Sequence, residues 1–389
     1  VVDAAGNPGP EVPFTSAHSP SNPISIFGPG NPQVAPLGAG FVAFWTDAVS
    51  GANLAYARTF DGSGATLANL LPLSSTPPGS AALAAVGDTF AVAFQGSGNF
   101  VFSRYDANGT AIVAETVIAS GIGGSLVMGF DGENYGVVGV GNGQLRFQRV
   151  APDGSPVSGL QVPVASGVRG PTPRLQWTVE GWAVFYQSTD RALNYVFLNR
   201  DGTVRYGPTV LSPAPLGIAH NQFDMVFNGQ VLGVAWRDFL GSDPPGMDIY
   251  FTVLNRDGSK LFPEFAAVSG PMADQFPRLY WANGTFHLVH TLGFAPGLRE
   301  IEIQADGTVL PGERFWSNRD GLSAVAWNGA TLGIVWPQLS ELFFETSACV
   351  EDLTAPLCPA LSVGALANQV HLSWPAVPDP ESGIWRYDL

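Results

Sequence analysis

Seven short apolar segments recur along the chain, and all but one end in a bulky aromatic ring or a histidine. They are residues 41–45 (FVAFW), 90–94 (FAVAF), 135–139 (YGVVG, the exception), 182–186 (WAVFY), 232–236 (LGVAW), 286–290 (FHLVH) and 332–336 (LGIVW). Their first residues lie 49, 45, 47, 50, 54 and 46 positions apart. A regular period of this length predicts one supersecondary unit repeated seven times.

Each apolar segment is flanked by further short strands and tight turns. A strand and a turn precede it, and the turn is Asn-Gly in three units, as at Asn283-Gly284. An alternating strand follows it and leads to a second turn, which is Asp-Gly or Asn-Gly in six units, as at Asp201-Gly202. Such turns join antiparallel strands. Each unit is therefore predicted to be a four-stranded antiparallel sheet with strands A to D, which is one blade of a β-propeller.

The seventh unit lacks a recognisable fourth strand, because residues 341–345 (ELFFE) run into Ser347 without an Asp-Gly turn. The missing element is found at the start of the sequence, where residues 1–16 have the pattern of a turn followed by strand D. We therefore expect an all-β, seven-bladed propeller over residues 1–350, with residues 1–16 as the outer strand that closes the last blade. The alternative is that residues 1–16 belong to a preceding repeat.

The units resemble a propeller repeat of bacterial surface or secreted proteins. The likeness is carried by Val234-Ala235-Trp236-Arg237-Asp238, Asp248-Ile249-Tyr250 and Asp257-Gly258. It extends over about residues 1–348 and implies an architecture rather than an activity, since propellers host enzymes, lectins and scaffolds. It also implies an extracellular or cell-surface location, reached by a signal peptide that is not part of this sequence.

Residues 351–389 differ in composition from the repeats. Residues 360–363, 369–374 and 379–388 resemble the opening strands of a fibronectin type III domain, and we interpret 351–389 as a linker and a truncated module of that kind. A complete sandwich needs about 100 residues, so either the natural protein continues or the fragment packs on the propeller. Cys349 and Cys358 are expected to form a local disulfide in an oxidising compartment.

Composition narrows the range of partners. The formal net charge is −15 with a pI near 4.6, which disfavours nucleic acid and anionic membranes. No apolar stretch is long enough for membrane insertion. The 47 glycines and 32 prolines interrupt helices throughout the chain and suit many short strands.

Any binding site is expected where the loops vary. With strand A innermost, the B–C and D–A connections share one end of the ring, called the loop face, and the A–B and C–D turns share the other, called the turn face. The longest B–C loop, residues 237–246, contains Arg237, Asp238 and Asp243, and Asp248 follows it. These three aspartates could bind Ca²⁺, which prefers oxygen ligands. The alternative is that they are solvated carboxylates that cap turns.

Arg191, His290 and Arg299 complete the predicted binding residues. The arginines could bind acidic glycans or pair with surface carboxylates, and His290 could stack on a sugar or fill a blade boundary, as the aromatic rings at equivalent positions could. No catalytic motif is present, so no catalytic residue and no cofactor other than Ca²⁺ is predicted.

The sequence thus favours a non-enzymatic extracellular binding or structural module. Its roles would be adhesion, decoration of a surface appendage, or assembly with copies of itself or other surface proteins. The alternative is a carbohydrate-binding lectin or a polysaccharide-active enzyme with its site on the loop face.

Overall fold

A computed structural model describes most of the repeat region and a short C-terminal hairpin. The described residues are 12–13, 30–49, 52–74, 80–96, 98–120, 124–157, 162–169, 173–213, 222–238, 247–270, 274–292, 295–317, 324–338, 341–347, 362–366 and 369–373. Within them there is no helix, and the strands form seven four-stranded antiparallel sheets and one two-stranded hairpin. The predicted all-β propeller of seven four-stranded blades is confirmed.

The strands follow the predicted A-to-D order in every blade. Blade 1 consists of Gly30–Leu37, Gly40–Val49, Ala52–Phe60 and Thr66–Pro72; blade 2 of Ala81–Val86, Thr89–Gly96, Asn99–Asp106 and Ala111–Ser120; blade 3 of Leu126–Phe130, Tyr135–Gly141, Gln144–Val150 and Val162–Ser166; blade 4 of Arg174–Trp177, Gly181–Gln187, Leu193–Asn199 and Val204–Ser212; blade 5 of Phe223–Phe227, Leu232–Asp238, Asp248–Leu254 and Phe265–Val268; blade 6 of Asp274–Ala282, Thr285–Leu292, Ala295–Ile303 and Arg314–Ser317; and blade 7 of Ala324–Trp327, Leu332–Gln338, Glu341–Thr346 and, as strand D, Val12–Pro13.

The blades form a closed ring around their A strands. Each A strand contacts the A strand of the next blade, and that of blade 7 contacts that of blade 1. The outer strand of blade 7 comes from the N-terminal part of the chain, where Val12 pairs with Phe344 and Pro13 with Phe343. Strand pairing between distant parts of the chain therefore joins the two ends of the ring.

The hydrophobic core is divided into seven clusters, one at each boundary between neighbouring blades. The rings that end the repeated apolar segments, among them Trp45, Trp236 and Trp336, are buried in these boundaries. The one repeat without such a ring has Gly139 at this position, because a Cβ there would lie 2.1 Å from Phe100 of blade 2. Phe100 fills the space that the missing ring would occupy.

The A–B turns differ in detail from the expected hairpin geometry. A type I′ hairpin turn needs positive φ at both central residues, and among the three Asn-Gly turns between strands A and B only Asn283 (52°) and Gly284 (84°) meet this. In blade 5 only Gly229 has positive φ, and the Asn228 side chain instead accepts hydrogen bonds from the backbone N–H groups of Gln230 and Val231, both at 2.8 Å. The asparagine there acts as a turn cap.

The C–D turns use aspartate in a similar way. At the turn of blade 3, Asp153 Oδ1 accepts hydrogen bonds from the backbone N–H (2.9 Å) and hydroxyl (2.6 Å) of Ser155, and Gly154 has φ of 87°. The same arrangement recurs at Asp201 and Asp257. Hydrogen bonding to a carboxylate favours its charged form, and this lowers the pKa of Asp153.

In the C-terminal region, Ser362–Leu366 pairs with Gln369–Ser373 as an antiparallel hairpin. Cys349 and Cys358 lie outside the described residues, so the disulfide stays a prediction, as does the fibronectin-like module. No helix of the described residues is long and apolar enough to cross a bilayer.

Candidate functional site

Asp238 and Asp248, two of the predicted ligands, lie next to each other in blade 5. Asp238 ends strand B, Asp248 begins strand C, and the two residues are direct cross-strand partners. Asp238 Oδ2 accepts hydrogen bonds from Trp236 Nε1 (3.1 Å) and Ser212 Oγ (2.5 Å), which ties blade 5 to blade 4. Asp243 lies outside the described residues, so a calcium site formed with it stays a prediction.

The three predicted arginines belong to three different blades. Arg237 lies in strand B of blade 5, where burial lowers the pKa of its guanidinium. Arg191 is exposed in the B–C turn of blade 4, where its φ is 72° and its backbone N–H donates to Ser188 O at 2.9 Å. Arg237 directly precedes Asp238 in its strand, and Arg299, in blade 6, is the cross-strand partner of His290.

His290 and Arg299 form a charged group near the loop face together with two residues that the sequence did not single out, Asp274 and Glu313. The buried His290 ring lies between two carboxylates, with Nδ1 3.6 Å from Asp274 Oδ1 and Nε2 3.4 Å from Glu313 Oε1. Arg299 Nη1 donates to Glu313 Oε2. Neither ring nitrogen makes a hydrogen bond within the described part of the chain. Burial chiefly, with a contribution from the charge of Asp274, raises the pKa of nearby Asp248.

A second polar group lies at the turn face of the same blade, and we call it the His287 cluster. It comprises Tyr280 of strand A, His287 of strand B, Glu300 and Glu302 of strand C, and Arg314 of strand D. The register explains why they meet, because His287 is the direct partner of both Tyr280 and Glu302. Glu300 and Glu302 are two residues apart and therefore share one side of the sheet.

Glu300 is the buried centre of the His287 cluster. Its Oε1 accepts hydrogen bonds from His287 Nδ1 (2.5 Å) and from the Tyr280 hydroxyl (3.0 Å). On the other side of the imidazole, Nε2 lies 3.1 Å from Thr285 Oγ1 and 3.3 Å from Ala282 O. Burial, together with the charge of Glu300, raises the pKa of Tyr280, so the tyrosine remains a neutral donor.

The polar side of the cluster opens towards solvent. Arg314 Nη1 is 3.8 Å from Glu300 Oε1, and its Nη2 is 3.7 Å from Glu302 Oε1. The side chains of Arg314 and Glu302 are 50% and 34% exposed, whereas that of Glu300 is 1% exposed. The guanidinium therefore balances the negative charge of the two carboxylates from the solvent side. Both distances are at the outer limit for an ion pair.

A pocket of about 200 Å³ adjoins this cluster at the boundary between blades 6 and 7. Its aromatic walls are Tyr280 and Trp327, whose rings stack with centroids 5.9 Å apart. Its other lining residues are Asn283, His287, Glu302, Arg314 and Ser347, which are polar, and Ala282 and Leu332, which are apolar. Because Asn283 belongs to an A–B turn, the pocket lies on the turn face, whereas the sequence placed the site on the loop face.

His287, Glu300 and Glu302 also form the one group of metal-ligating side chains close enough to share an ion within the described residues, with ligand atoms within 4.8 Å of one another. The sequence contained a signal for this group, since a Glu-Ile-Glu segment places two carboxylates on one side of a strand. The identity of the facing histidine depends on the hairpin register, which the sequence alone does not fix.

No family model and no curated protein matches the chain. Solved structures resemble it in fold at low sequence identity. Hydrazine synthase of Kuenenia stuttgartiensis matches with a TM-score of 0.56 and 12% identity over 85% of this chain and 99% of that chain. The β-propeller domain of the Trilobed protease of Pyrococcus furiosus matches with a TM-score of 0.50 and 9% identity over 82% and 92%.

A 6-phosphogluconolactonase-like protein of Bacteroides uniformis matches with a TM-score of 0.51 and 14% identity, over 73% of this chain and 84% of that chain. The three proteins differ in function, so the likeness shows the seven-bladed β-propeller fold and assigns no activity.

Proposed function

We propose that this propeller is a non-enzymatic, extracellular binding module, and that its ligand is a carbohydrate held in the pocket between blades 6 and 7. The observation that carries the proposal is the composition of the pocket, which combines the Trp327 ring, packed on Tyr280, with polar groups of Asn283, Glu302 and Arg314. An aromatic ring stacks on the apolar face of a sugar, and amide, carboxylate and guanidinium groups hydrogen-bond its hydroxyls.

The size of the pocket supports a small ligand. Drug-sized molecules fill pockets of about 300–1,000 Å³, and this pocket measures about 200 Å³. A single sugar residue at the end of a glycan suits it better than an internal segment of a polymer. Recognition of terminal sugars fits the adhesive role expected for a surface-displayed repeat protein.

The arrangement of the carboxylates supports binding rather than hydrolysis. A glycosidase needs two carboxyl groups free to act on opposite sides of the scissile bond. Here the Glu300 carboxylate already accepts hydrogen bonds from Tyr280 and His287, and Glu302 lies beside Arg314. Glu300 is therefore held as a hydrogen-bond acceptor, which leaves no pair of free carboxyl groups at this site.

A glycan array probed with the intact chain tests the proposal, with release of reducing sugar measured in parallel. We expect saturable binding to one class of terminal sugar without product release. Trp327→Ala should weaken binding about tenfold or more, because it removes the stacking surface. Trp177→Ala is the matched control, since Trp177 ends strand A of blade 4 as Trp327 ends strand A of blade 7.

The control variant should bind as the parent chain does. Absence of binding to every glycan, or equal binding by the two tryptophan variants, would overturn the carbohydrate proposal and favour a protein partner. Product release would overturn the non-enzymatic part.

A further inference from the structure

We propose that His287, Glu300 and Glu302 form a binding site for one divalent transition-metal ion, with Zn²⁺ as the preferred ion. The three side chains offer ligand atoms within 4.8 Å of one another, from two adjacent strands of one blade. This proposal goes beyond carbohydrate binding and does not depend on it, since the ion would be held by the protein alone.

The ligand set selects the class of ion. One imidazole nitrogen and two carboxylate oxygens are ligands that Zn²⁺ accepts in open sites, where three protein groups leave a position for water. Ca²⁺ takes six to eight oxygen ligands and Mg²⁺ favours octahedral oxygen coordination, so a histidine with two carboxylates suits neither. Cu²⁺, Ni²⁺ and Co²⁺ share the preference for imidazole nitrogen.

The surroundings already hold these ligands in place. Tyr280 donates to Glu300 Oε1, and Thr285 Oγ1 and Ala282 O flank His287 Nε2. The rings of Tyr280 and His287 stack with centroids 4.5 Å apart, which fixes the plane of the imidazole. Supporting contacts of this kind orient metal ligands and strengthen binding.

Access comes from the solvent side, where Glu302 is 34% exposed and lines the pocket. The cluster also attracts a cation, since it contains two carboxylates and only one guanidinium. A divalent ion would neutralise both carboxylates, whereas Arg314 approaches them only to 3.7 and 3.8 Å. Arg314 is therefore the cation with which the ion competes.

Binding requires two small rearrangements. Two ligand atoms at about 2.1 Å from a tetrahedral ion are roughly 3.4 Å apart, while His287 Nδ1 and Glu300 Oε1 are 2.5 Å apart and joined by a hydrogen bond. The side chains must separate slightly, and the neutral imidazole must carry its proton on Nε2, beside Ala282 O, so that Nδ1 is open to the ion. The half-exposed Arg314 side chain must swing outwards.

The test is a metal titration of the intact chain without sugar. Zn²⁺ uptake is measured by equilibrium dialysis with elemental analysis, and Co²⁺ uptake by the visible absorption that a coordinated Co²⁺ ion develops. We expect one ion per chain and an affinity that falls as the pH is lowered.

Three variants and one control make the outcome specific. Glu302→Gln removes a partly exposed ligand with little risk to folding and should weaken binding about tenfold or more. His287→Asn should abolish the Co²⁺ spectrum. Arg314→Gln should tighten metal binding because it removes the competing cation, and Arg146→Gln, in blade 3, is the control for the loss of one positive charge.

The proposal is overturned if the parent chain takes up no ion, if Glu302→Gln binds as the parent does, or if Arg314→Gln and Arg146→Gln behave alike. Failure here is distinguishable from failure of the carbohydrate proposal. Arg314→Gln should weaken sugar binding and strengthen metal binding, so the two proposals predict opposite changes for one variant.

Discussion

Substitution of Gly202 by alanine should reveal how tightly neighbouring blades are packed. Gly202 lies in the C–D turn of blade 4 with φ of 90°, and a Cβ there would lie 2.1 Å from Cδ1 of Phe147 in blade 3. The left-handed conformation costs an L-residue about 1–2 kcal/mol, and overpacking a rigid core typically costs about 1–3 kcal/mol. Phe147 is 1% exposed and cannot move aside without disturbing Trp182, its ring neighbour at 5.6 Å.

We therefore expect Gly202→Ala to lower the free energy of unfolding by about 2–5 kcal/mol. Gly229→Ala is the matched control, because Gly229 has φ of 95° and nothing within 4 Å of the added Cβ. The Gly229→Ala substitution should lower the free energy of unfolding only by the cost of the left-handed conformation, about 1–2 kcal/mol. Both values come from denaturant unfolding followed by tryptophan fluorescence. If the two variants lose the same free energy of unfolding, within about 0.5 kcal/mol, contact with Phe147 does not exclude a side chain at Gly202.

The remaining predictions concern pH and ring closure. Hydrogen bonds in the C–D turns lower the pKa of Asp153, Asp201 and Asp257 below the ordinary value. Stabilisation from a lowered pKa is present above the unfolded value of about 3.9 and is lost as the pH falls through the folded value. The urea concentration at the unfolding midpoint should therefore decrease when the pH is lowered below about 4. The decrease should be smaller in Asp153→Asn than in the parent chain, and an equal decrease in the two chains would contradict this. Removal of residues 1–16 takes away the strand paired with Glu341–Thr346, so calorimetry should show a lower Tm and light scattering should show self-association. A monomer with an unchanged Tm would contradict the role of that strand.

The blade architecture could be predicted from the sequence because its signals are local. A period of apolar segments, with Asp-Gly turns between them, defines the strands before any long-range contact is known. The exception at Gly139 could not be explained in this way, because the ring that replaces its side chain belongs to Phe100 in another blade. The Asn228 turn likewise depends on side-chain hydrogen bonds that compete with the expected backbone geometry.

The candidate sites were less predictable, because they are assembled from separate strands. His290 and Arg299 were singled out from their positions, but Asp274 and Glu313 join them only through the fold of blade 6. The pocket combines Tyr280 of one blade with Trp327 of the next. A pattern within one strand indicates which side of a sheet a residue faces, whereas the neighbour across a blade boundary depends on the packing of the whole ring.

The pairing of Val12 with Phe344 also has a consequence for biosynthesis, since these residues are 332 positions apart along the chain. At about 5–20 residues per second, a ribosome needs roughly 20–60 s to make the segment between them. During that time the first blade has no neighbour on one side, and Phe41 and Trp45, which are buried against blade 7 in the finished ring, remain uncovered. The apolar rings at this boundary can therefore be covered only after the last blade has been synthesised.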